Sequence, residues 1–189
     1  LKTNRERKGN KHQRTLIRIA NLGALLQAMG EYSDARALRE ELVETRREVL
    51  GNKHKQTLLS IKGLGSLLKD MGEYDTAKPL LEEALEGFRE TVGEGNGDTL
   101  WTMTIMGDVL TAMGDYDGAK PLLQGAVEGR LKKYGATHPH TLRAISSLGK
   151  LLQAMGDHDG AKAQLEEALA GRRETLGDAN PDTLASMND

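Results

Sequence analysis

The feature that most constrains the fold of this chain is a strict internal repeat of 42 residues. Thr-Leu occurs at 15–16, 57–58, 99–100, 141–142 and 183–184, with no insertion between the copies. Met-Gly follows on the same spacing at 29–30, 71–72, 113–114 and 155–156. A fixed period of this size is typical of repeat arrays, in which each unit is one supersecondary element that stacks on its neighbours.

Each repeat is predicted to fold as two helices. The first carries apolar residues at the three- and four-residue spacing of one helix face, namely Leu16, Ile19, Leu22, Leu26 and Met29 in the first copy. The second helix is expected from about residue 33 to 50, and its inward side chains are Ala35, Leu38, Leu42, Val43 and Leu50. Gly30 and Gly51 should end the two helices, because glycine takes the left-handed conformation of a helix stop at little cost.

Glycine also recurs in the expected interior of the first helix, at Gly23, Gly65, Gly107 and Gly149. Glycine within a helix costs about 1 kcal/mol relative to alanine. Its recurrence in every copy indicates a packing requirement, since a side chain there would push the paired helices apart. The chain is therefore expected to be an all-α solenoid of antiparallel helix pairs whose core forms by stacking.

Composition argues against several other classes of protein. The 189 residues carry a formal net charge of -2 and no basic stripe of the kind found in nucleic-acid-binding proteins. There is no cysteine, so disulfides and thiolate zinc sites are excluded. No apolar run approaches the roughly 20 residues of a membrane span, and residues 1–5 do not resemble a signal peptide. We expect a cytoplasmic protein that binds neither nucleic acid nor membrane.

The motif Leu-Gly-x-Leu-Leu-x-x-Met-Gly-x-Tyr-x-x-Ala, at residues 22–35, resembles the tetratricopeptide repeat. The 42-residue period, with its Thr-Leu start and its His-Pro or Asn-Pro loop, is similar to the kinesin light chain subclass of that family. The resemblance covers essentially the whole chain. It implies a right-handed superhelix whose concave face is lined by the first helices, and a scaffold that binds proteins. Similar repeats also follow nucleotide-binding modules, so the array is alternatively the recognition region of a larger signalling or immunity-type protein.

The period divides the chain, as a single array, into repeats at 15–56, 57–98, 99–140 and 141–182. Residues 1–14 align without a gap with 43–56 and are interpreted as the end of a preceding repeat. Residues 183–189 are interpreted as the start of a following one. We therefore expect a fragment of a longer array.

The candidate binding surface follows from the resemblance. Exposed positions of the first helices are expected where the repeats differ from one another, and a partner is expected to contact Leu59, Lys62, Lys69, Trp101, Thr104, Asp108, Arg143 and Lys150. These residues combine cations with one acid and one large aromatic ring. An extended peptide with an apolar anchor and some acidic residues would suit such a surface.

Trp101 is the only tryptophan, and the fold does not require it because Ile17, Leu59 and Arg143 occupy the equivalent positions. A tryptophan beside Arg or Lys is a frequent anchor of protein interfaces. The alternative is that Trp101 packs along a neighbouring helix. The sequence leaves both interpretations open.

No residue pattern indicates a catalytic, cofactor or metal site. The glycine-rich segment 93–97 lacks the Gly-Lys-Ser/Thr ending of a phosphate loop and follows a helix instead of a strand. Adjacent carboxylates such as Glu40 and Glu41 do not face each other on a helix. His12, His54 and His138 share one loop position without further ligands, which favours helix capping over metal binding. We expect a non-catalytic protein without a cofactor.

Two functions follow as hypotheses. The first is an interaction module that holds a peptide or extended segment of a partner protein in its concave groove. The second is a structural role, in which the incomplete repeats at the two ends of the chain stack head to tail. Because that contact is heterologous, it would build open filaments.

Overall fold

The computed structural model describes residues 13–188, apart from the side chains of Asp182 and Asn188. Within this range the regular secondary structure consists of nine α-helices: α1 (Gln13–Ala28), α2 (Tyr32–Leu50), α3 (Lys55–Asp70), α4 (Tyr74–Val92), α5 (Gly97–Ala112), α6 (Tyr116–Tyr134), α7 (Pro139–Ala154), α8 (His158–Leu176) and α9 (Pro181–Asn188). None of these helices combines the length and the apolar character that a membrane span needs. The expected end of a preceding repeat, at residues 1–14, lies almost entirely outside the described residues.

The helices belong to two compact units, residues 1–92 and 93–189. In the first unit α1 packs on α2, α2 on α3 and α3 on α4. In the second unit each helix from α5 to α8 packs on the next, and α5 also contacts α7 directly. This succession of helix pairs is the all-α solenoid fold that the repeat predicts.

Glycines end the helices where the sequence indicates. Gly30 follows α1 with φ of 80°, and Gly51 follows α2 with φ of 86°. Both angles lie in the left-handed region that a residue with a Cβ rarely adopts. The backbone N–H of Gly51 also donates to the carbonyl oxygen of Arg47, which satisfies one of the free carbonyl groups at the helix end.

The core of the described residues consists mainly of aliphatic side chains and alanine, with Phe88 as a fully buried aromatic residue. Leu16, Ile19 and Leu42 form a buried cluster between α1 and α2. Two residues that were expected to face inward are instead exposed: Met29 is 64% exposed and Leu50 is 39% exposed. Met29 lies just beyond the end of α1 and Leu50 is the last residue of α2, so both lie past the packed middle of the pair.

The glycines within the helices confirm the predicted packing requirement. A methyl group added to Gly107 of α5 would lie 2.5 Å from Cγ of Leu123 on α6. In the reciprocal contact, a methyl group added to Gly129 of α6 would lie 2.5 Å from a methyl carbon of Leu100 on α5. The same double contact recurs between α3 and α4 through Gly65 with Leu81 and Gly87 with Leu58, and between α7 and α8 through Gly149 with Leu165 and Gly171 with Leu142. Each of these pairs is therefore held close by leucines that lie over glycines.

Gly107→Ala is expected to destabilise the second unit by about 1–3 kcal/mol, because Leu123 must leave its position against α5. Gly125→Ala is the matched control. Its added methyl group would meet only the mobile methyl end of Met103, at 2.9 Å, so helix propensity should leave it neutral or up to about 1 kcal/mol more stable. Urea unfolding followed by the fluorescence of Trp101 measures both. Equal stability of the two variants would refute the packing role of Gly107.

Candidate functional site

Trp101 lies at the centre of a cationic and aromatic cluster in the second unit. The guanidinium carbon of Arg143 is 4.7 Å from the centroid of its ring system, and that of Arg130 is 5.2 Å away. His140 meets the ring edge-on, with 5.1 Å between centroids and 77° between planes. These distances suit cation–π and edge-to-face contacts. The ring thus packs against residues of α6 and α7, yet it is only half-buried.

Arg130 supports the cluster from within the core. It is 1% exposed, and its Nη1 donates to the backbone carbonyl oxygen of His140. Its Nη2 is buried without a hydrogen-bond partner. Burial, together with the charge of Arg143, lowers the pKa of Arg130 to about 10, so the group remains charged at neutral pH.

Arginines recur at this position of the repeat, which holds Arg46, Phe88, Arg130 and Arg172. Arg46 and Arg130 are buried, and Arg172 is half-buried. Nη1 of Arg46 donates to Oγ of Ser60 at 2.7 Å, and Nη1 of Arg172 donates to Oγ of Ser146 at 3.0 Å. Each of these two arginines therefore links the second helix of a repeat to an adjacent first helix by a hydrogen bond. The sequence signal for these residues is the recurrence of arginine at a 42-residue spacing. They were missed because the candidate positions were taken only from the first helices.

Two histidines cap helices through a ring nitrogen. Nδ1 of His138 accepts from the backbone N–H of His140 at 3.1 Å, and Nδ1 of His54 accepts from that of Gln56 at the same distance. The capping role is thereby confirmed for both, whereas His12 lies outside the described residues. The ring of His138 also stacks on Tyr134, with centroids 4.6 Å apart.

The other candidate binding residues lie in both units. In the first unit Leu59, Lys62 and Lys69 are half-buried. Nζ of Lys62 lies 5.6 Å from the ring centroid of Phe88, and Nζ of Lys69 pairs with Asp70 at 3.1 Å.

In the second unit Asp108 is half-buried, while Arg143 and Lys150 are exposed. Arg143 joins Trp101 in one cluster, because α5 and α7 contact each other directly.

The prediction that Thr104 lies on an accessible surface was wrong. Its side chain is 1% exposed, and its hydroxyl donates to the carbonyl oxygen of Leu100 on the preceding turn. Lys62 occupies the equivalent position in the first unit and reaches the surface because its side chain is longer. A short side chain at this position ends beneath its neighbours, so the side chain of Thr104 does not reach the surface.

Comparison with known proteins assigns the class. The sequence profile of the tetratricopeptide repeat matches residues 15–90 and 98–174. The chain therefore belongs to the tetratricopeptide repeat family, as its motif indicates. No curated protein sequence matches it.

Several solved structures share the fold, including that of a kinesin light chain-like repeat protein. A variant of the Podosopora anserina kinesin light chain-like protein, with nearly identical repeats, is 23% identical with a TM-score of 0.75, over 92% of this chain and 82% of that one. BtubC of P. vanneervenii is 19% identical with a TM-score of 0.74, over 86% of this chain and 65% of that one. A double mutant of MamA from RS-1 is 15% identical with a TM-score of 0.60, over 88% and 80%. Proteins of this family are generally non-catalytic scaffolds.

Arg130→Ala is expected to destabilise the second unit by about 2–4 kcal/mol, because it leaves a cavity beneath Trp101. Arg130→Phe should stay within about 1.5 kcal/mol of the parent chain, since phenylalanine fills the space and removes a buried charge. Phe88 already occupies the equivalent position and is fully buried. Urea midpoints compare the two variants, and an equal loss in both would show that the hydrogen bond to His140 matters more than packing.

Proposed function

We propose that the chain is a non-catalytic interaction module that binds an extended segment of a partner protein in a groove lined by first helices. The observation that carries this proposal is the half-buried Trp101 beside the exposed Arg143. Tryptophan and arginine are among the residue types most enriched at interface positions that dominate binding energy. The repeat pattern does not specify either residue, because the repeats vary at this position.

The chemistry of the surface favours a partner with an apolar residue and nearby acids. Trp101 offers a flat apolar contact, and Arg143 and Lys150 are exposed cations on α7. Leu59, Lys62 and Lys69 repeat this combination of an apolar side chain with two cations in the first unit. Exposed charges contribute mainly to the association rate and to specificity, so the tryptophan is the expected anchor.

Four further predictions made from the sequence remain predictions and belong to this proposal. They are the division into repeats at 15–56, 57–98, 99–140 and 141–182, a cytoplasmic location, and the absence of a cofactor and of nucleic-acid binding. Membership in a larger nucleotide-binding signalling protein is a prediction of the resemblance alone.

A displayed library of random peptides, panned against the immobilised chain, tests the proposal. Enriched peptides should combine an apolar residue with Asp or Glu. Trp101→Ala and Arg143→Glu should each weaken binding of a synthetic enriched peptide by about tenfold or more, measured by fluorescence anisotropy.

Lys162→Glu is the matched control, because it makes the same change of charge at a 73% exposed side chain on α8. Its affinity should equal that of the parent chain. Failure to enrich peptides, or equal affinity of the Trp101→Ala and parent chains, would refute the proposal.

Self-association is a second candidate, favoured by one observation. Leu25 on α1 is 56% exposed, whereas Leu67, Val109 and Leu151 at the equivalent positions are fully buried. Leu184 on α9 is also exposed, at 49%. Head-to-tail stacking of copies would cover apolar side chains of this kind, and repeat arrays gain stability from each such contact.

The mass of the chain, measured by sedimentation over a range of concentrations, tests self-association. Self-association predicts a mass that rises with concentration, and Leu25→Glu should hold the chain at the monomer mass by placing a charge in the contact. A parent chain that sediments as a monomer at every concentration would exclude stacking.

A further inference from the structure

We propose that His138 and His140, at the start of α7, form a proton-sensitive joint: proton uptake by these imidazoles weakens the attachment of α7 to α6 and uncovers Trp101. The joint is a property of the chain by itself, so it does not rest on the proposed binding of a partner.

The cap of α7 requires one ring nitrogen of His138 to be free of a proton. Nδ1 accepts a hydrogen bond from the backbone N–H of His140 at 3.1 Å. Both nitrogens of a protonated imidazole are donors, so a doubly protonated His138 has no acceptor for this N–H. Protonation would therefore remove the side-chain cap from the first turn of α7.

His140 lies among positive charges that oppose its protonation. The cationic groups around the cluster are Arg130 and Lys133 from α6 and Arg143 from α7, and Asp108 of α5 lies within electrostatic range of Arg130. Between the two histidine rings the centroids are 5.0 Å apart, and between His140 and Tyr134 they are 6.1 Å apart. An imidazolium here would repel both arginines that flank Trp101.

The direction of the pH effect follows from the lowered pKa of His140, which is caused first by partial desolvation of a residue that remains exposed, and then by Arg130, His138 and Arg143. The unfolded chain binds a proton at this residue more readily than the folded chain. Stability is therefore full above the ordinary histidine pKa of about 6.5 and is lost as the pH falls through that value toward the lower folded pKa.

The first unit contains the same cap without the surrounding cluster. Nδ1 of His54 accepts from the backbone N–H of Gln56. The positions equivalent to Tyr134 and Arg143 hold Leu50 and Leu59, so neither a stacking ring nor a second arginine is present there. Elsewhere the repeat uses asparagine: Oδ1 of Asn96 accepts from the N–H of Asp98 at 2.9 Å. Asparagine therefore makes this cap without titrating.

The test follows Trp101, the only tryptophan, between about pH 7.5 and about pH 5.5, the interval in which histidine changes its charge. Acrylamide quenching is the readout, because a nearby imidazolium lowers tryptophan emission without any movement. The parent chain should show stronger quenching and a lower urea midpoint at the acidic end. The doubly substituted chain His138→Asn/His140→Gln, with residues that occur at the equivalent positions, should lose both changes.

His54→Asn is the matched control and should keep the full response of the parent chain. A pH-independent parent chain, or a doubly substituted chain that responds like the parent, would overturn the proposal. If the doubly substituted chain does not fold at about pH 7.5, amide hydrogen exchange of His140 in the parent chain decides. After correction for intrinsic rates, loss of protection at the acidic pH supports the joint, and retained protection overturns it.

Discussion

The architecture depends on the close approach of two helices within each pair, and that approach depends on glycine lying under leucine. In the pairs α3 with α4, α5 with α6 and α7 with α8, each helix contributes one glycine and one leucine, so the contact is made twice. Glycine weakens an isolated helix, but here it removes the side chain that would hold the backbones apart. The first pair departs from this rule. Arg39 replaces the leucine over Gly23, and its Nη2 donates to Oε1 of Gln27 at 2.7 Å.

Once the pairs are fixed, the recurring arginines link a second helix to a neighbouring first helix. The buried Arg46 and the half-buried Arg172 each donate to serine hydroxyl groups, so part of their hydrogen-bonding capacity is satisfied within the protein. Arg130 has a weaker arrangement, because it donates to one carbonyl oxygen and leaves Nη2 without a partner. A buried cation of this kind costs stability unless it is compensated. The ring of Trp101 supplies part of that compensation, which links the tryptophan to the fold as well as to the surface.

Sequence reasoning identified the fold and part of the candidate site. Trp101 and Arg143 were both selected because the repeats differ there, and the structure brings them into one cluster. Thr104 was selected by the same rule and is buried, because variation between repeats does not measure how far a side chain reaches. Arg130 lies on a second helix and was not considered, although it contacts the tryptophan. His140 was not singled out, since nothing in its local sequence indicates that α5 and α6 lie against it.

The sequence by itself determined the helical repeat, its 42-residue period, the glycine stops and the need for small residues within the helices. These features are local or periodic, so they are encoded in short segments that can be compared copy by copy. Only the tertiary structure decided which side chains meet around Trp101, which arginines are buried, and that two histidines lie beside them. Those contacts join residues from three helices, and their energies depend on burial and distance, which a linear pattern does not contain.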